Sequence, residues 1–155
     1  MSAATTHVTT NSQTTTSATI DAVGWLVVRL AAGLILMPHG AQKLFGLFGG
    51  AGLDGTAQFF ETSLGLSPGL LFAALAGSTE FFGGLFLALG FLTRLSALAI
   101  FCLLSYAAVA VHLGNGFFWT GGGFEYPLLW ALVVLGFVIR GGGAYSVDRA
   151  IGWKF

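Results

Sequence analysis

Charged side chains are scarce in this chain. Only 8% of its 155 residues are charged, six acidic and six basic, whereas an ordinary soluble domain is about 25% charged. The formal net charge is zero, which gives no electrostatic reason to expect nucleic acid or an anionic membrane surface as a partner. The scarcity argues against a soluble fold, and it makes every charge inside an apolar run a candidate functional residue.

The chain also has only one cysteine, and it has no basic cluster at its N-terminus. The one cysteine, Cys102, lies in an apolar run, so an intramolecular disulfide and a CxxC redox centre are excluded. Residues 1–21 contain no Lys or Arg, so the basic start of a secretory signal is absent. This stretch is rich in Thr and Ser, which predicts a disordered, uncleaved polar tail.

Apolar residues are abundant and grouped into long runs. They make up 55% of the chain, and the mean hydropathy is +0.86. Four runs, residues 22–45, 68–92, 94–113 and 124–139, approach or exceed the length of about 20 residues that crosses a bilayer as a helix. The sequence therefore predicts an all-α fold: an integral membrane four-helix bundle in one domain, residues 22–150, with a short tail at 151–155. Residues 53–66 predict a short interfacial helix between the first and second spans.

Basic residues predict the orientation of these spans. Arg94, Arg140, Arg149 and Lys154 fall on one side of a four-span arrangement, and Lys43 is the only basic residue at the other. By the positive-inside rule both termini are cytoplasmic. We therefore expect a multi-pass membrane protein with both termini on the cytoplasmic side.

Two charges lie deep inside predicted spans. By helical rise, Arg29 lies roughly 10 Å and Glu80 roughly 18 Å from the cytoplasmic side. A charge at the centre of a spanning helix costs roughly 2.5–3.5 kcal/mol, so each needs a partner or a function. The depths predict an Arg29–Glu80 ion pair, which could serve chemistry or only fix the helix register.

Further polar residues collect near the outer ends of the spans. His39 and Lys43 share one face of the first span, and His112 and Glu125 end the third and begin the fourth. Together with the deeper Glu80 and Arg29 they predict a funnel that opens outward, although solvated helix ends are the commoner explanation for exposed charges. Haem ligation by the two histidines is weakly supported, and the ligand spacing does not favour zinc.

A glycine-rich loop with three consecutive aromatic residues precedes the last span. Phe117, Phe118 and Trp119 either form a membrane-interface belt or cover the outward pocket as a lid. Both interpretations stay open from the sequence.

The ordered pattern of polar and glycine residues resembles the DoxX family of small membrane proteins. The resemblance covers roughly residues 22–150 and is carried by Arg29, Gly33, His112, Gly122 and residues 39–46, 80–84, 89–94, 116–118, 125–127 and 141–149. It implies a four-helix protein of a bacterial or archaeal plasma (inner) membrane, of a kind often described as an oxidoreductase component. Family members are associated with thiosulfate:quinone oxidoreductase, with terminal quinol oxidase and with oxidative-stress complexes. The chain has no dedicated redox motif of its own.

Three hypotheses for function follow. The first is a quinone-linked oxidoreductase or its subunit in a redox complex, with a quinone as the favoured cofactor. Its catalytic candidates are Glu80, Arg29 and His112, and its ligand-binding candidates are His39, Lys43, Glu125, Phe117 and Phe118. No metal ligands are expected. The second hypothesis is a small proton-coupled transporter or exporter with Glu80 as its protonatable switch. The third is a non-catalytic membrane scaffold, and a homo-oligomer stays open in each case.

Overall fold

The computed structural model describes residues 4–153, with side chains from Thr15 onward. All the regular elements in this range are helical. Helix α1 runs Ala4–Phe45, α2 Gly52–Leu64, α3 Gly69–Leu89 and α4 Thr93–Asn115, α5 Glu125–Arg140 and α6 Val147–Ala150. Short 3₁₀ turns lie at Leu47–Gly49 and Trp119–Gly121. The all-α class is confirmed.

Three helices are long and apolar enough to cross a membrane. They are the segment Thr15–Phe45 of α1, the whole of α3 and the whole of α4. Helix α5 has 16 residues, which is about 24 Å of helical rise and less than the hydrocarbon thickness of about 30 Å. The prediction of membrane-spanning helices is therefore confirmed for three segments, while the fourth span and an interfacial position for α2 stay predictions.

Helix α1 overlaps the predicted N-terminal tail. Helix α1 begins at Ala4, inside the stretch 1–21 that the composition predicts as a disordered tail. The described part excludes residues 1–3, the side chains of residues 4–14, and residues 154–155. The predicted cytoplasmic Lys154 therefore lies outside it. The division into tail, membrane domain and C-terminal tail thus stays a prediction.

Glycines let α1 and α3 pack backbone against backbone. A Cβ placed on Gly33 would lie 2.4 Å from the Gly84 carbonyl oxygen, and one on Gly40 would lie 2.4 Å from the Phe81 nitrogen. Small residues at such crossings allow close van der Waals packing between helices in lipid. The crossing is antiparallel, so the C-terminal end of α1 lies beside the N-terminal half of α3.

Side chains from α1, α3, α4 and α5 form the main core. Leu36, Leu87, Ile100, Val134 and Phe137 are among its buried members. A smaller cluster holds α2 against α3, and Ala57, Phe60 and Leu64 of α2 pack there. Many large apolar side chains, such as Leu95, Leu132 and Ile139, point outward, as expected for helices that face lipid.

One end of the bundle is tied together by the segment after α5. The Asp148 carboxylate accepts hydrogen bonds from the backbone nitrogens of Leu92 and Thr93 at 2.8 and 2.9 Å. It thereby satisfies free N–H groups at the start of α4. Trp25 lies under the Arg140 guanidinium, 4.9 Å from ring centroid to Cζ. We call this end, with Arg29, Arg94, Arg140 and Asp148, the basic end.

Candidate functional site

A cavity of about 640 Å³ lies toward the other end of the bundle. Residues from α1 to α5 and the loop before α5 line it. Its volume falls within the range of small-molecule sites, which are mostly apolar with a few placed polar groups. His39, Lys43, Glu80 and His112 all line this cavity, so the structure brings together four of the predicted site residues.

An ion pair between α1 and α3 is the only one in the described residues 15–153. The Lys43 Nζ lies 2.6 Å from Oε2 of Glu80, with side-chain exposures of 29% and 8%. Lys43 comes from the last turn of α1, and the glycine crossing brings that turn toward Glu80 in the middle of α3. The pair places one positive and one negative charge in a largely apolar cavity.

The predicted Arg29–Glu80 pair is wrong. Arg29 is 2% exposed and lies at the basic end, where it donates to the backbone carbonyls of Ala88, Gly142 and Tyr145. The antiparallel crossing that sets Gly33 against Gly84 also sets Arg29 against Ala88, about two turns beyond Glu80. Arg29 therefore holds the segment after α5 to the bundle and lies outside the cavity.

His112 is held by the loop before α5. Its Nδ1 is 2.7 Å from the carbonyl oxygen of Gly122, which also accepts from Asn115 Nδ2 at 3.2 Å. A carbonyl only accepts, so Nδ1 carries the hydrogen in this contact. In neutral His112 the other ring nitrogen, Nε2, is consequently a hydrogen-bond acceptor and can take up a proton.

Glu80 and His112 each lie in a π-helical turn. These turns are Thr79–Gly83 within α3 and Ala108–His112 within α4. Single π turns inside α-helices are rare and occur frequently at functional sites. Two of them border one cavity here, and each carries an ionisable residue that lines it.

Three further candidates lie beside the cavity, Phe117 and Phe118 in the loop before α5 and Glu125 at the first position of α5. The Glu125 carboxylate accepts from the Trp119 backbone nitrogen at 3.1 Å. Phe117 packs edge-on against Phe118 and Phe124, with ring centroids 5.4 Å apart in both cases. None of Glu125, Phe117 and Phe118 is among the residues lining the cavity. They shape the loop that presents Trp119 and Gly122 to it.

The sequence did not single out several aromatic lining residues. Tyr126 and Trp130 lie one turn apart on α5, and Tyr106 comes from α4. The Tyr126 ring centroid is 6.5 Å from that of His39. Tyr126 directly follows Glu125 in the sequence, and Trp130 lies four residues later, on the same helix face. This spacing is the signal that could have identified them. Trp130 Nε1 is buried and has no hydrogen-bond partner among the described residues.

The helices and the cavity together define a multi-pass membrane protein with a ligand-sized internal site. The DoxX family model matches residues 24–113, more than half of the chain. The chain belongs to the DoxX family, and the resemblance read from the sequence is confirmed.

Two similar proteins come from Haemophilus influenzae, and both are described as uncharacterized. One is 35% identical over 108 residues, which are 63% of this chain and 78% of the relative. The other is 34% identical over 62 residues, which are 40% of this chain and 41% of that relative. No solved structure matches the chain.

Proposed function

We propose that the cavity binds a quinone-type ring and that the chain is the membrane subunit of a quinone-linked redox complex. The observation that carries the proposal is the Lys43–Glu80 ion pair in an otherwise largely apolar, aromatic-lined cavity. A bound quinone would supply a two-electron, two-proton couple that is soluble in lipid. Both termini would be cytoplasmic, with the cavity toward the outer face.

The chain's own residues fit such a ring. Lys43 Nζ is a donor for a ring oxygen, and its contact with Glu80 keeps it oriented. The aromatic wall, which includes Phe60, Tyr126 and Trp130, suits a flat, weakly polar ligand.

His112 fits the role of proton acceptor. Its Nδ1 hydrogen is engaged by Gly122, so Nε2 of the neutral ring accepts a hydrogen bond from a ligand hydroxyl and takes its proton. The Glu80 carboxylate would accept the second hydroxyl proton, while the Lys43 ammonium keeps its hydrogen bond to the ring oxygen. Electrons would pass to or from a redox centre in a partner protein, and Arg29 would hold the fold and play no direct part.

Tryptophan fluorescence offers a direct test of binding. Trp119 and Trp130 line the cavity, whereas Trp25 packs against Phe137 at the basic end. Titration of the purified protein with a decyl-benzoquinone should quench a saturable part of the emission. The saturable quenching should be lost in the double variant Trp119→Phe/Trp130→Phe and kept in the single variant Trp25→Phe.

The double variant Lys43→Met/Glu80→Gln provides the site control. It removes both charges without leaving either unpaired, and the loss of a charged hydrogen bond should weaken quinone binding about tenfold or more. Quenching that never saturates, or that is equal in this variant and the wild type, would overturn the proposal. Proton-dependent solute movement in liposomes, without quinone binding, would instead favour the transporter hypothesis.

A further inference from the structure

A second, smaller cavity adjoins the first. Its volume is about 230 Å³, and it shares Phe60, Ala76, Leu103 and Tyr106 with the larger one. We call it the side groove, defined by these shared residues together with Leu66, Phe72, Leu75 and Thr79. The shared wall makes the two cavities neighbours between α2, α3 and α4.

The side groove lies on the flank of the bundle. Leu75 of α3 is 55% exposed and Tyr106 of α4 is 42% exposed, and both helices are membrane-spanning candidates. Leu75 lies about 9 Å along α3 from its start at Gly69, which is within the hydrocarbon depth of a span. We therefore expect the mouth of the groove to face acyl chains.

The two cavities differ in polarity: the larger one has ionisable side chains in its wall, and the side groove is almost wholly apolar. The larger cavity holds Lys43, Glu80 and His112, whereas the side groove has no charged side chain in its wall, and Thr79 and Tyr106 are its polar members. We propose that the site takes an amphiphilic membrane ligand, whose polar ring occupies the larger cavity while its apolar tail lies in the side groove. This inference rests on the proposed function, since it concerns the tail of the same ligand.

The arrangement also gives the ligand a route into the site. A lipid-dissolved molecule reaches the larger cavity sideways, past Leu75 and Tyr106, without leaving the bilayer. Phe60 is buried and lines both cavities, so its ring would contact the ligand near the point where head and tail join.

The test compares two probes and two variants. The probes are a dimethoxy-methyl-benzoquinone without a side chain and the same ring with a decyl chain. Leu75→Trp fills the mouth of the groove. Leu71→Trp is the matched control, because Leu71 lies one turn earlier on α3, is 51% exposed and lines neither cavity.

Leu75→Trp should weaken binding of the decyl probe about tenfold or more, since each buried methylene contributes to affinity, and should leave the tailless probe unchanged. Leu71→Trp should change neither. If Leu75→Trp weakens both probes equally or neither, the groove does not hold the tail. If neither probe binds the wild-type protein, the proposed function fails, and the tail site fails with it.

A second measurement does not depend on variants. A quinone whose tail ends in a photoreactive diazirine should label peptides that contain Phe72, Leu75 or Tyr106. Labelling spread evenly over other lipid-facing positions, such as Leu95 and Leu132, would contradict a defined tail site.

Discussion

At the scale of single residues, the site is organised by the ion pair of Lys43 with Glu80. Glu80 has a side chain only 8% exposed, and its described ionic partner is Lys43. A buried charge that loses its partner keeps its desolvation cost without compensation. Each member therefore depends on the other, and we expect the pair to behave as a unit in folding.

This dependence can be measured with a double-variant cycle. Lys43→Met and Glu80→Gln should each destabilise the protein by about 3 kcal/mol, because each strands one charge. The combined variant should lose about 3–5 kcal/mol, less than the sum of the two single losses, which corresponds to a coupling energy of about 1–3 kcal/mol. The measurement is the free energy of unfolding in mixed detergent micelles.

The matched control cycle pairs Glu80→Gln with Arg29→Gln. Arg29 contacts the carbonyls of Ala88, Gly142 and Tyr145 at the far end of the bundle, so these two changes should be additive within about 0.5 kcal/mol. Additive losses of unfolding free energy for Lys43 and Glu80, or strong coupling between Arg29 and Glu80, would show that Lys43 is not the partner of Glu80.

Residue chemistry made most of the site predictable. Ionisable groups in an apolar chain must turn inward, and this placed His39, Lys43, Glu80 and His112 at one site. The partner of Glu80 was mispredicted because depth along a helix does not give the alignment between helices. That alignment follows from Gly33 meeting Gly84 and Gly40 meeting Gly77, pairs with the same seven-residue spacing on both helices.

At the scale of helices, the glycine crossing of α1 and α3 positions the ion pair. It brings the two backbones into contact one turn from Lys43 and one turn from Glu80. The helices themselves were predictable from apolar run length. The π turns at Thr79–Gly83 and Ala108–His112 were not, because apolar sequences give no local signal that distinguishes a π turn from an α turn.

Two glycines of α1 offer a matched test of the crossing. In Gly33→Ala the new Cβ would lie 2.4 Å from the Gly84 oxygen and 2.7 Å from the Ala88 nitrogen, so the helices must separate. We expect a loss of about 2–3 kcal/mol in unfolding free energy, which is the upper part of the range for overpacking.

Gly24→Ala is the control for that substitution. No atom lies within 4 Å of its built Cβ, and alanine has the higher helix propensity, so stability should be unchanged or slightly raised. Equal destabilisation by Gly24→Ala and Gly33→Ala would show that the crossing is not a tight backbone contact.

At the scale of the whole molecule, the two ends of the bundle have different tasks. The basic end is closed by hydrogen bonds from Arg29 and to Asp148, and it anchors the segment after α5. The other end holds the cavity with its polar groups and aromatic walls. Lipid-facing leucines surround both ends, and we propose that the end with the cavity is the one that binds a membrane-dissolved ligand.

Native mass spectrometry of gently extracted protein tests most directly whether the cavity holds a ligand. The comparison uses the wild type, Ala107→Trp on the cavity wall and Ala99→Trp, an exposed position of the same helix that does not line the cavity. We predict a bound small molecule of quinone mass in the wild type and in Ala99→Trp, and its loss in Ala107→Trp. Wild-type protein that carries no such molecule even after incubation with excess quinone, or a bound quinone that Ala107→Trp retains in full, would contradict a ligand site in this cavity.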